Sequence, residues 1–281
     1  MDVVASSDNK ETAGPTARLV AKMVIAIRKQ KGWSQVTLGN ELGYTGAAVS
    51  ALETLAQPPS DAMLLRLEEV LGEGSGFFRD AMIAIRRERY PTEFQAFADL
   101  EREAVSLHIY SMHVIHGLFQ SEEYMRALFN GGSPLNSSAR VEELVVGRIA
   151  RKQLLDREPI AMIEIIIEEA VLSRTIGNKA VMRGQLLYLI ECAKRRNVTV
   201  RVLTLNSGDE GEYAGDRGPL TLIETREHEH RAYMEIQDIS MLIDDATAVS
   251  TYSQRYAKIR EQSLSPRKSL SFVEQLVGKL P

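Results

Sequence analysis

QVTLGNELGYTGAAVSALET, residues Gln35–Thr54, decides how the amino-terminal part of this chain is read. Two short helices that cross closely need a small residue at the fifth position of such a stretch, and Gly39 stands there. The turn between them needs a residue that tolerates positive φ at the ninth position, which Gly43 supplies. Apolar residues are required at the fourth, eighth, tenth, fifteenth and eighteenth positions, and Leu38, Leu42, Tyr44, Val49 and Leu52 fill them. Thr45 is placed to cap the second helix through its side-chain oxygen. Together these constraints are those of a helix-turn-helix, whose second helix presents its early residues to the major groove of DNA.

Working outward, Leu19, Val20, Met23, Val24 and Ile27 fall on one helical face, which predicts a helix over Thr16–Lys31 ended by Gly32. Ser34–Leu42, Gly46–Thr54 and Asp61–Leu71 follow as short helices. Residues 1–14 are polar and small without periodicity and read as a disordered tail. The run Gly72-Glu73-Gly74-Ser75-Gly76 predicts a domain boundary, giving an all-α domain over 15–75 and a second domain over 76–281.

The second part begins with two predicted amphipathic helices, Phe77–Arg89 and Phe94–Tyr110, separated by Pro91. Ser121–Phe129 and Ala139–Asp156 are further helices. The β-branched run Ile160–Ile167 then reads as a buried strand, followed by a helix at Val181–Arg195 and a strand at Val198–Leu205. A loop over Asn206–Gly218 leads to a hairpin, Leu220–Glu224 with Ala232–Ile236, and a strand at Ser240–Asp244. Helices Ala246–Gln262 and Pro266–Leu280 close the chain, so this part is α+β.

Composition excludes several classes. The 281 residues are 44% hydrophobic and 26% charged, near the globular average, so a sizeable core is expected. Cys192 is the single cysteine, which excludes a disulfide framework and a multi-cysteine metal cluster. No apolar run approaches the ~20 residues that span a bilayer, and the start lacks the basic-then-apolar pattern of a signal peptide. A cytoplasmic protein is expected. Net charge is −4, and within 15–75 six basic residues face six acidic ones, so DNA affinity must come from where the charges lie.

Arg28, Lys29 and Lys31 cluster at the end of the first helix beside the start of the second, and are candidates for phosphate contacts. Gly46, Ala47, Ala48 and Ala51 occupy the base-reading positions of the recognition helix, so bidentate readout of guanine or adenine is missing. Thymine methyls, Ser50 and DNA shape remain. The candidate DNA-binding set is thus Arg28, Lys29, Lys31, Gln35, Thr45, Gly46, Ala47 and Ser50.

No enzyme signature stands out, and neither a metal nor another cofactor is expected. His108, His113 and His116 lie close in sequence, with His113 and His116 sharing a face if helical, yet no cysteine is near. His228 and His230 read as part of a solvated hairpin loop. Glu168 and Glu169 end the first strand and point to opposite faces, with Glu169 expected to cap or to pair with Arg148 or Arg151. The loop SGDEGEYAGDRG lacks the spacing of a phosphate loop or an EF-hand.

Over about residues 16–72 the chain resembles the lambda-repressor-like (XRE-type) regulators, in which the Gln at the position of Gln35 commonly meets a phosphate. Ser50 and Glu53 match a Ser and a Glu of that family's third helix. FADLEREAVSLHIY, GLFQSEEYMRALF, RIARKQLL, EEAVLSR, RGQLLYLIE, VTVRVLTL and SLSPRKSLSFVEQL follow in the order found in the carboxy-terminal domain of actinobacterial WhiJ-like regulators and antitoxins, which the chain resembles past residue 90. That resemblance implies a transcriptional regulator whose second domain binds a small BldB-like partner protein that modulates its DNA binding. It also implies that some members act as antitoxins. Two poorly reading recognition helices in a homodimer on double-stranded DNA are the expected remedy for weak base readout. A small-molecule sensor with its ligand in the α+β domain is the third reading.

Overall fold

A computed structural model of the chain describes residues 14–88, 92–208, 212–236 and 239–280. Residues 1–13 of the tail expected over 1–14, the break at Pro91 and the middle of the Asn206–Gly218 loop lie outside them. Contacts divide the chain into two units, 1–90 and 91–281.

The first unit is all helical: α1 (Pro15–Gln30), α2 (Gln35–Leu42), α3 (Gly46–Thr54), α4 (Asp61–Leu71) and α5 (Phe77–Glu88). Each of α2, α3 and α4 starts on a hydroxyl cap. Ser34, Thr45 and Ser60 accept from the amides of Thr37, Ala48 and Met63. Val20, Val24, Leu38, Leu42, Val49, Leu52, Leu64 and Leu67 form its core, and each is at most 1% exposed. Burial of such side chains contributes about 1.5–3 kcal/mol apiece before entropy is counted.

The domain boundary expected at Gly72–Gly76 is a bend inside this unit. Buried Glu68 reaches across it and accepts from the amides of Gly76 and Phe78, both at 2.8 Å, so one carboxylate caps α5 from the end of α4. Gly74 and Gly76 take φ of 78° and 75°, which makes the reversal possible. Phe78, Ala81 and Ile85 of α5 then join the same core. At the far end Glu88 accepts from the Thr16 amide at 3.0 Å, tying α5 to the start of α1.

The second unit is α+β. Its elements run α6 (Thr92–Glu103), β1 (Ser106–Ser111), α7 (Glu122–Asn130), α8 (Ser138–Arg151), β2 (Met162–Glu168), α9 (Glu169–Ser173), α10 (Lys179–Ala193) and β3 (Val198–Leu203). β4 (Leu220–Glu224), β5 (His230–Ile236), β6 (Ile239–Ile243), α11 (Ala246–Gln262) and α12 (Pro266–Gly278) complete it. The strands form one mixed sheet in the order β3-β2-β1-β4-β5-β6. β1, β2 and β3 pair in parallel, with Ile109 beside Ile165 and Ile165 beside Val200, whereas β4, β5 and β6 add on antiparallel.

The parallel strands are buried on both faces, as crossover helices require. Leu107, Ile109, Ile163, Ile165, Ile167, Val200 and Val202 pack with Phe97 of α6, Tyr124 of α7, Leu186 and Leu189 of α10 and Val273 of α12. On the other face Tyr110, Ile166, Leu203 and Leu220 pack with Val249, Tyr256 and Ile259 of α11.

One predicted helix is wrong in its second half. Phe94–Tyr110 splits, with α6 ending at Glu103 and Ser106–Ser111 forming β1 in the interior of the sheet. Leu107 and Ile109 alternate with exposed His108, a period of two that the preceding amphipathic stretch conceals. His113 and His116 consequently lie beyond the end of a strand rather than on one helical face, and His116 caps a 3₁₀ turn at Gly117–Phe119 through the Leu118 amide. His230 belongs to β5 rather than to the hairpin loop, and His228 pairs with Glu224 at 2.7 Å. Glu169 accepts from the Leu205 amide at 3.0 Å, while Arg151 pairs with Glu101 and Arg148 donates to Gln120. The expected partnership of Glu169 with those arginines is therefore replaced by a cap on the segment after β3.

Candidate nucleic-acid interface

The helix-turn-helix geometry rests on three glycines. A Cβ at Gly39 would lie 2.8 Å from the Tyr44 carbonyl oxygen and 2.9 Å from the Thr45 carbonyl carbon, so only glycine lets the turn fold back over α2. Gly43 sits at φ 78°, in the left-handed region that ends α2. At Gly46 a Cβ would come within 2.9 Å of Val36 Cγ2 and 3.2 Å of its Cα, so α3 starts in direct contact with the first turn of α2. Gly46 is thus a packing position, and its place in the candidate DNA-binding set is confined to its backbone.

The carbonyl end of α2 is held by a residue the sequence reading passed over. Arg66 of α4 donates from Nε to Leu42 O and from Nη2 to Glu41 O, each at 3.2 Å. Nothing in local sequence marks a cap that comes from 24 residues away.

Arg28 is committed inward. Its Nε and Nη2 donate to Glu53 Oε1 and Oε2 at 2.5 and 2.9 Å, and Nη1 donates to the Trp33 carbonyl at 2.8 Å. The side chains of Arg28 and Glu53 are 12% and 6% exposed. Gln35 joins them, its Nε2 donating to Glu53 Oε2 at 2.8 Å. Burial pushes the Glu53 carboxyl up, but hydrogen bonds from Arg28 and Gln35, with the charges of Arg28 and Lys29, hold it below the ordinary carboxylate value. Donating to the Glu53 carboxylate in turn raises Arg28. Arg28 and Gln35, expected at phosphates, instead lock the end of α1 and the start of α2 onto α3 through their side chains.

Lys29 is exposed and makes no ion pair among the described residues. Lys31 lies 5.6 Å from the Trp33 ring centre and 3.1 Å from Glu73, an exposed pair of the kind worth at most about 1 kcal/mol. Both ammonium groups are therefore free to move to a phosphate. On α3, Ala47 is exposed and Ser50 half-buried, whereas Ala48 packs against the core. Thr45 spends its hydroxyl oxygen on the Ala48 amide at 3.2 Å, so it orders the helix start. Of the eight sequence-chosen residues, Lys29, Lys31, Ala47 and Ser50 keep side chains that can meet DNA.

Comparison with known proteins separates the same two parts of the chain. Residues 24–78 match the family described as Helix-turn-helix. No curated protein and no solved structure matches the chain. Residues 94–275, most of the chain and nearly all of the α+β unit, match the family described as Domain of unknown function (DUF5753), and the chain belongs to that family.

Proposed function

We propose that this chain is a DNA-binding transcriptional regulator rather than an enzyme, acting as a homodimer on two half-sites of double-stranded DNA. The observation that carries the DNA part is the locked α2–α3 pair, which leaves Ala47 exposed, Ser50 half-buried and Lys29 and Lys31 unburied. Base readout from this helix is poor, so one copy would gain little beyond phosphate contacts, and two copies spaced by a helical turn supply the missing affinity. Light scattering of the full chain and footprinting on genomic fragments test this together. A dimer protecting two half-sites is expected, and a monomer protecting one half-site would refute it.

The α+β unit is proposed to bind a small BldB-like partner protein that modulates DNA binding, in the manner of the WhiJ-like regulators its segments resemble. A cytoplasmic, nucleoid-associated location fits this role, and no helix among the described residues is long and apolar enough to cross a membrane. The second reading, an antitoxin with weak DNA binding, is favoured by one observation, the Gly- and Ala-rich start of α3.

Phosphate-driven binding has a measurable signature. Counterion release lowers log K by about 0.9 per neutralised phosphate for each decade of salt. Lys29→Ala should flatten that slope by about one unit and weaken operator and random duplex alike. Ser50→Ala should leave the slope unchanged and relax sequence preference. A salt titration in which Lys29→Ala matches the parent slope would remove Lys29 from the interface.

A further inference from the structure

Between α11 and strands β1, β4 and β5 the second unit holds a cavity of about 280 Å³, with Leu222, Val249 and Ala257 among its walls. Strand register sets its floor in two rows. In one, Ser106, Glu224 and His230 stand side by side across β1, β4 and β5. In the next, Glu164 of β2, His108 of β1 and Leu222 of β4 stand side by side. Residues two apart on a strand share a face, so both rows point towards α11, as Tyr110 and Leu220 do.

Both oxygens of each carboxylate on this floor are engaged. Buried Glu164 meets Arg201 Nε at 3.0 Å on one oxygen, and Arg260 Nε at 3.2 Å and the Tyr256 hydroxyl at 3.3 Å on the other. Glu224 meets His228 Nδ1 at 2.7 Å on one oxygen and accepts from the Ser106 hydroxyl at 3.0 Å on the other. Those two bonds hold the Glu224 carboxyl below its ordinary value.

The donors around the cavity are unspent. His108 stacks on Tyr256, with ring centres 5.4 Å apart and planes at 17°, and its nitrogens make no hydrogen bond among the described residues. The His230 imidazole makes none either, and its residue is exposed. Arg260 commits Nε to Glu164, while its two Nη groups make no hydrogen bond among the described residues on a side chain that is 54% exposed. Arg201 and Arg260 together face the single carboxylate of Glu164, which leaves one positive charge in excess at that corner. Burial holds the His108 imidazole below its ordinary value, with Arg260 and His230 acting in the same sense and Glu164 and Glu224 against it. An anion brought into the cavity acts as those carboxylates do, so it draws a proton onto the imidazole.

We propose that this cavity binds a small organic acid, its carboxylate held by Arg260 and His108 with His230 as a further donor, and its short apolar body against Leu222, Val249 and Ala257. The free polar groups are all donors once the imidazoles are protonated, so the ligand must be an acceptor. The apolar wall selects a carboxylate carrying a few carbons over inorganic phosphate, which would leave that wall bare. Pockets for drug-sized ligands run from about 300 to 1,000 Å³, so this one suits a single small solute. The site is independent of DNA binding, and its test contains no DNA.

Calorimetric titration of the full chain with sodium acetate, propionate, butyrate and phosphate, at equal ionic strength, provides the test. Butyrate is expected to bind most tightly, with affinity rising up to about fourfold for each added methylene. Affinity should also rise as pH falls from about 8 to about 6, with a proton taken up on binding. Arg260→Gln should weaken binding about tenfold or more. His108→Gln should weaken it several-fold and reduce the proton uptake. The His108 side chain makes no hydrogen bond within the described fold, so that variant should keep the parent Tm, which separates lost binding from lost stability. Ala257 is exposed on α11, and Ala257→Phe should fill the cavity and abolish binding with Tm unchanged. Absence of binding by every carboxylate, tighter binding of phosphate than of butyrate, an affinity indifferent to pH, or equal affinity in Ala257→Phe and the parent would each overturn the proposal.

Discussion

Glu53→Ala is expected to destabilise the helical unit by about 3–5 kcal/mol, the cost of removing one partner from a buried ion pair. The carboxylate accepts three hydrogen bonds, two from Arg28 and one from Gln35. Deleting it strands a guanidinium that is 12% exposed and keeps a hydrogen bond to the Trp33 carbonyl. Glu53→Gln keeps shape and some hydrogen bonding, so a smaller loss is expected. The chain has one tryptophan, Trp33, inside this unit, so its fluorescence during urea unfolding isolates the effect from the α+β unit. The same pair makes stability pH-dependent. Because the native carboxyl titrates below its ordinary value of 4.5, its contribution is complete above that value and is lost as pH falls through the native pKa. The Glu53→Gln variant should therefore show a flatter urea midpoint between neutral pH and pH below 4.5 than the parent. A Glu53→Ala midpoint within error of the parent would show that the triad is ornamental.

That triad also marks where sequence reading stops. Gly39 and Gly43 are legible because backbone geometry alone demands them, and the spacing of Leu38, Leu42, Val49 and Leu52 carries its own periodicity. Arg28 reads as a phosphate ligand in sequence because an exposed helix end and a buried ion pair have the same local sequence. Its commitment to Glu53, 25 residues away, is tertiary information. The bend at Gly72–Gly76 was misread for a similar reason. Glycines announce a change of direction, but only Glu68 reaching Gly76 and Phe78 reveals that the chain turns back into the same core. In the second unit, β2 and β3 show as apolar runs because both faces are buried, whereas β1 follows a helix with no glycine or proline between them, so its period of two was absorbed into the helical pattern.

Ala47→Glu should abolish DNA binding while leaving the fold intact, with affinity falling on the order of a hundredfold or more, because a like charge brought against phosphate costs several kcal/mol. Ala47 is exposed in the first turn of α3, where a carboxylate interacts favourably with the helix dipole. Folding should therefore be neutral or slightly improved. Val49→Asp, two residues along the same helix, supplies the contrast. Val49 is 0% exposed, so a charge there has no partner and no water, and the unit should unfold. Ala47→Lys should move the opposite way, raising affinity for all duplexes and steepening the salt dependence by about one phosphate. Far-UV circular dichroism and Trp33 fluorescence report the fold of each variant, and a duplex titration at fixed salt reports binding. An Ala47→Glu protein that is folded by both measures yet binds operator as the parent does would mean that the outward face of α3 does not enter the groove, and the DNA surface would have to be sought elsewhere on the helical unit.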